Sequence, residues 1–118
     1  MKKLLFVTML LLTSIAWGQS THTVTLTWAA SPDAAGNPSL VYDIYRAPAA
    51  CPATPLTFVK VGTTAPLATS FTDSAVPLGT MCYAVTSLIN GVESVQSNPA
   101  PAVILPAAPT GLLVTKVN

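Results

Sequence analysis

Beyond residue 19 the chain alternates apolar and polar residues in short runs, and clusters of Pro, Gly, Ser, Asp and Asn separate the runs. A period of two predicts half-buried strands, and no stretch keeps apolar residues at helical spacing. Val24-Thr25-Leu26-Thr27-Trp28 places Val24, Leu26 and Trp28 on one face and the threonines on the other. Residues 31–38 hold Pro32, Asp33, Gly36, Asn37 and Pro38, residues that preset turns or accept positive φ, and are expected to form a loop. A second strand is predicted over 41–46, with Tyr42 and Ile44 sharing a face. Pro48, Pro52 and Pro55 then stiffen a loop, and shorter strands are expected over 58–61 and 70–72. Gly79 closes the turn before the longest run, 81–89, and Asn90-Gly91 separates it from 92–95. Asn-Gly between two alternating runs favours a two-residue type I′ turn, in which both central residues take positive φ. Pro99 and Pro101 follow, so the last strand is expected at a sheet edge, where a missing N–H faces solvent.

The first 18 residues have a different pattern and read as an export signal. Met1-Lys2-Lys3 is a short positive region, residues 4–15 are apolar without charge or proline, and Ala16-Trp17-Gly18 offers small residues at the positions a signal peptidase reads. The cut is expected between Gly18 and Gln19, with a cut after Ala16 as the alternative. An uncleaved anchor is the other reading, but the 12 residues of 4–15 fall short of the ~20 that span a bilayer. No cysteine stands just past the cut, so a lipid anchor is not expected. The organisation expected is a signal peptide over 1–18, one β-domain over 19–105, and a Pro-rich connector with a strand-like tail over 106–118. The mature chain would occupy an oxidising compartment: periplasm, cell surface or medium.

The set Val24-x-Leu26-x-Trp28, Tyr42-x-Ile44-Tyr45-Arg46, Ser70-Phe71-Thr72-Asp73, and Tyr83-x-Val85-x-Ser87 with Asn90-Gly91-x-Glu93-Ser94-x-x-Ser97 resembles a fibronectin type III domain. The resemblance covers about residues 22–105 and implies an all-β, immunoglobulin-like sandwich of seven strands. It implies that Trp28 sits between two sheets and that Val24, Leu26, Tyr42, Ile44, Tyr83 and Val85 build the core around it. It also implies binding or spacing, not catalysis. Two departures stand out. The tyrosine that such domains place two residues before the position of Tyr83 is Met81 here, so the corner hydrogen bond is lost. The strand A that precedes the Val-x-Leu-x-Trp strand is also missing from its usual place.

In that fold the segment carrying Cys51 and the start of the strand carrying Cys82 lie side by side, and Cys82 has opposite parity to Tyr83 and Val85. A Cys51–Cys82 disulfide is therefore expected, in keeping with export. Two free thiols, or a metal site short of ligands, are the alternatives.

Composition narrows the function classes. The 118 residues are 51% hydrophobic and 8% charged, with a single histidine, His22. Beyond residue 18 only Arg46, Lys60 and Lys116 are basic, too few and too scattered to neutralise phosphates, so a nucleic-acid partner is not expected. Asp33, Asp43, Asp73 and Glu93 are spread singly, with neither a carboxylate pair nor a calcium loop. Asp73 reads as a turn residue closing a strand. His22 has no carboxylate or cysteine near it in sequence and reads as an exposed terminal residue. No serine sits in a Gly-x-Ser-x-Gly elbow. The expectation is a non-enzyme without cofactor or metal. Tyr45 and Leu88 point outward by parity and offer an apolar strip, read either as a partner surface or as plain cross-strand packing.

The tail is the anomaly. Pro106-x-x-Pro109-x-x-Leu112-x-Val114 resembles the strand A that opens a fibronectin type III domain, and Leu112 and Val114 share a face. One reading is a domain whose first strand has moved to its end, pairing in cis or in a neighbouring molecule; a truncated second module and a loose tail are the others. The functional expectation is an exported structural, adhesion or protein-interaction module that self-associates through Leu112 and Val114. A carbohydrate- or surface-ligand-binding module is the alternative, with Tyr45 as its one obvious exposed aromatic.

Overall fold

The computed structural model describes residues 22–51 and 57–118. The expected signal peptide, its cut at Gly18 and Gln19, and Pro52 and Pro55 lie outside the described residues. The chain is all-β, and two sheets pack face to face as a sandwich. In chain order the strands are β1 (His22–Thr27), β2 (Val41–Ala47), β3 (Val59–Thr63), β4 (Ser70–Val76), β5 (Gly79–Ile89), β6 (Val92–Glu93) and β7 (Ala100–Ile104). The smaller sheet is the antiparallel pair β1 and β4. The larger runs β3-β2-β5, and both β6 and β7 pair with β5. Because β2 occupies one side of β5 from Cys82 to Leu88, β6 and β7 share the other side as two pieces of one edge.

Local chemistry explains several boundaries. Asn90 and Gly91 both take positive φ, 50° and 78°, as the Asn-Gly pair predicts for a hairpin turn. The loop after β1 tightens into a short 3-10 turn, Pro32–Ala34: Asp33 N–H donates to Ser31 Oγ at 3.2 Å, and Asn37 Nδ2 donates to Asp33 O at 2.8 Å. Pro101 pairs opposite Cys82 in β7, at the sheet edge where a proline is tolerated. Between β6 and β7 the ladder is interrupted, and two serines replace it. Ser94 N–H donates to Ser87 O and Ser97 N–H to Val85 O, each at 2.8 Å. In return the hydroxyls of Ser94 and Ser97 accept from the N–H groups of Ser87 and Val85, at 2.9 and 3.0 Å. The Ser-x-x-Ser spacing thus keeps the β5 backbone paired across the gap.

The core is built from Ile44, Val76, Met81 and Tyr83. Val24, Leu26, Trp28 and Val85 pack against it half-buried, and Trp28 meets the buried Tyr42 edge to face, with ring centroids 5.3 Å apart. All seven residues expected in the core thus face inward, with β2 and β5 more completely covered than β1. Gly62 in β3 allows the sheets to close at one side: a Cβ there would stand 2.3 Å from Phe71 Cζ on β4.

Two expectations need correction. The third strand lies at 59–63 rather than 58–61, because its register is set by pairing with β2, Asp43 opposite Thr63 and Arg46 opposite Val59. Asp73 is not a turn residue. It lies within β4, buried, opposite Val24.

Candidate interaction site

Asp73 anchors the base of the sandwich. It accepts from Tyr83 Oη at 2.9 Å and from Arg46 Nη1 at 2.6 Å, so β2, β4 and β5 converge on one carboxylate. Burial, reinforced by the hydrogen bond to Asp73, pushes the Tyr83 phenol up to about 12. This network ties β2 and β5 of the larger sheet to β4 of the smaller. Its residues are bonded to one another and do not present a reactive group. Nearby, Cys51 and Cys82 form a disulfide, with Cα atoms 5.3 Å apart, tying the segment after β2 to β5. Cys82 is fully buried.

On the outer face of the larger sheet Tyr45, one half of the expected Tyr45 and Leu88 strip, is engaged by polar partners. Tyr45 Oη donates to Glu93 Oε1, and Thr86 Oγ1 donates to the same oxygen at 2.6 Å. These donors, Thr86 first, hold the Glu93 carboxyl below its ordinary range, and the same carboxylate raises the Tyr45 phenol. Thr63 Oγ1 donates to Asp43 Oδ1 at 2.6 Å, with Lys60 Nζ 3.9 Å from the other oxygen. The parity argument placed Tyr45 outward correctly; what it missed is that Thr86 and Glu93 share its face across β5 and β6.

The feature with room for a partner is the open side of the smaller sheet. Among the described residues β1 pairs only with β4. Trp28 N–H donates to Thr69 O on the β4 side, so the alternation of an antiparallel ladder turns the N–H and C=O groups of Thr27 and Thr25 the other way, toward the open side. A slot of about 80 Å³ runs there between Leu26 and Trp28 on one wall and Tyr83, Val85 and Ala100 on the other. It joins a wider groove of about 380 Å³ through Trp28, Val85, Ser97 and Asn98, which line both. The buried Trp28 Nε1 has no hydrogen-bond partner among the described residues.

The tail contributes nothing to this site in its own molecule. Residues 105–118 form no strand and are exposed throughout, with Leu112 at 94% and Val114 at 79% of full exposure. Cis pairing along β1 is therefore not the arrangement found. His22 opens β1 opposite Val76 and is half-buried, not an exposed terminal residue. Among the described residues no group of three or more His, Cys, Asp or Glu is placed to hold a metal, and no helix is long and apolar enough to cross a membrane.

No protein-family model matches this chain. A search of curated proteins finds no match either.

Proposed function

We propose that this chain is an exported, non-catalytic module, built like a fibronectin type III domain, that works through contacts with other proteins. The observation that carries the reading is the open side of β1, where a slot lies beside backbone groups that have no strand partner among the described residues; the outer sides of β3 and β4 likewise have none, but the slot lies at β1. Folded proteins normally cover such an edge, because it is a template for another strand. The Cys51–Cys82 bridge suits an oxidising compartment outside the cytoplasm, as the N-terminal pattern predicts. Asp43, Asp73 and Glu93 each accept hydrogen bonds from neighbouring side chains, roles that leave them structural rather than reactive. The carbohydrate reading gains no such support, since Tyr45 is tied to Glu93 in a polar network.

The test places a photo-crosslinking residue at Thr27, which lines the slot, in the chain exported from its native cells. Discrete protein adducts are expected, absent when the crosslinker sits at exposed Lys60 on the far sheet. Specific retention on a glycan array with no protein adduct would overturn the reading.

A further inference from the structure

Resting on that reading, we propose that the occupant of the slot is a second copy of this chain: residues 109–117 of one molecule add as a strand to the open side of β1 in the next. Three observations point to this segment. The slot is lined mainly by apolar side chains, with Thr27, Ser97 and Asn98 as its polar members, and is flanked by the outward-turned backbone groups of Thr25 and Thr27, so it suits an extended strand with alternate apolar side chains. The tail has that pattern, and Leu112 and Val114 lie at 94% and 79% exposure, uncovered by the described residues. Pro106 and Pro109 precede them and stiffen the link from β7.

Chain direction decides between the molecule's own edge and a neighbour's. Ile104 ends β7 opposite Gly79, the start of β5. β4 ends just before it at Val76, which lies opposite His22. The tail therefore leaves from the pole where β1 begins, and along its own β1 it would have to run parallel to a strand whose existing partner is antiparallel. A tail arriving from a second molecule at the Trp28 pole, where the wider groove opens, runs antiparallel to β1, the slightly more stable pairing. Leu112 and Val114 then fill the slot between Leu26 and Tyr83. Donor and acceptor surfaces lie at opposite poles, so the contact is head to tail; such a contact closes no dimer and builds linear chains.

The test is sedimentation of the natively exported chain over a wide concentration range, beside two variants. One lacks residues 106–118; the other carries Leu112→Asp and Val114→Asp, which alter only exposed positions and leave the thermal midpoint of the monomer unchanged. The intact chain is expected to form a concentration-dependent ladder of oligomers, and both variants are expected to lose it. A synthetic 106–118 peptide is expected to dissolve the ladder and to protect the Thr25 and Thr27 amides from exchange. An intact chain that stays monomeric overturns the proposal, as do oligomers that survive in either variant, or β1 amides already protected by the tail at monomer dilution. Thr27 adducts with an unrelated protein, in a chain that does not self-associate, would leave the protein-contact reading standing and remove this one.

Discussion

The two sheets of this sandwich are unequal. In the larger, β2 and β5 each have neighbours on both sides, and Ile44 and Tyr83 are 0% and 1% exposed. In the smaller, β1 has one neighbour among the described residues, and its inward Val24 and Leu26, with Trp28 just beyond its end, remain half-buried although they face the same core. Hydrophobicity does not distinguish them, since both inward sets are large and apolar. The difference is covering: a two-stranded layer leaves part of a wider layer without an opposite wall, and the slot beside Leu26 is the result. The larger sheet also holds the covalent staple, whereas the smaller sheet is tied to it through one carboxylate, Asp73 of β4, which accepts from Tyr83 and Arg46.

The largest effect is expected from cutting the staple. The bridge joins residues 31 apart, and closing a loop of that size is worth about 3.5 kcal/mol by chain entropy. Replacing both cysteines by serine should lower the denaturant midpoint accordingly and steepen the slope, because the unfolded chain is released from its closed loop. A change under a third of that would show that the β2–β5 pairing holds without it.

Trp28→Ala attacks the weaker sheet and should cost about 3 kcal/mol, the low end for a buried aromatic, because the ring is only partly covered. Trp28→Phe sharpens the point. It keeps a ring against Tyr42 and deletes the buried indole N–H that lacks a partner, so it should cost less than about 1 kcal/mol. Denaturation midpoints of the two variants measure the gap; equal losses would mean the indole N–H is satisfied in solution.

Tyr83→Phe removes one donor from a buried carboxylate and should cost about 1.5–2 kcal/mol at neutral pH. Its pH signature separates it from a packing defect. The folded-state phenol is raised to about 12, above its ordinary value, so its contribution is complete below the ordinary value and is lost as pH rises through the folded one. The wild type should therefore lose stability more steeply than Tyr83→Phe in the alkaline range, and thermal midpoints against pH should converge there. Parallel curves would exclude the linkage.

Much of this was readable in the sequence. Strand identity and the Asn90-Gly91 turn follow from local alternation and turn chemistry, which act over a few residues, whereas the shared core and the cysteine pair were implied only by the resemblance to a fibronectin type III domain. The roles of Asp73 and Glu93 do not. Asp73 looks like a turn residue because Ser-Phe-Thr-Asp ends an apparent strand, and only its pairing opposite Val24 shows that β4 continues to Val76. Glu93 joins Tyr45 from 48 residues away, and no spacing rule connects them. The near contact of Gly62 with Phe71 was likewise invisible, although a glycine inside a strand is a known sign of close approach.

The smallest expected effect lies on the polar outer face, and it tests whether the larger sheet owes its strength to the core alone. Tyr45 Oη and Thr86 Oγ1 both donate to one exposed oxygen of Glu93, so removing one donor leaves the other in place. Exposed hydrogen bonds exchange freely with water, and their net worth is small. Tyr45→Phe should therefore leave the neutral-pH midpoint unmoved within error. The acid side carries the remaining information. Glu93 is held below its ordinary value, so its contribution is present above that value and fades as pH falls through the depressed one. With Tyr45 gone the depression shrinks but persists, because Thr86, its largest cause, remains. A carboxyl titration followed by NMR should show Glu93 moving upward in Tyr45→Phe and further in Thr86→Val. The reverse order would place Tyr45 as the principal partner and give the outer face a larger structural share than the core comparison allows.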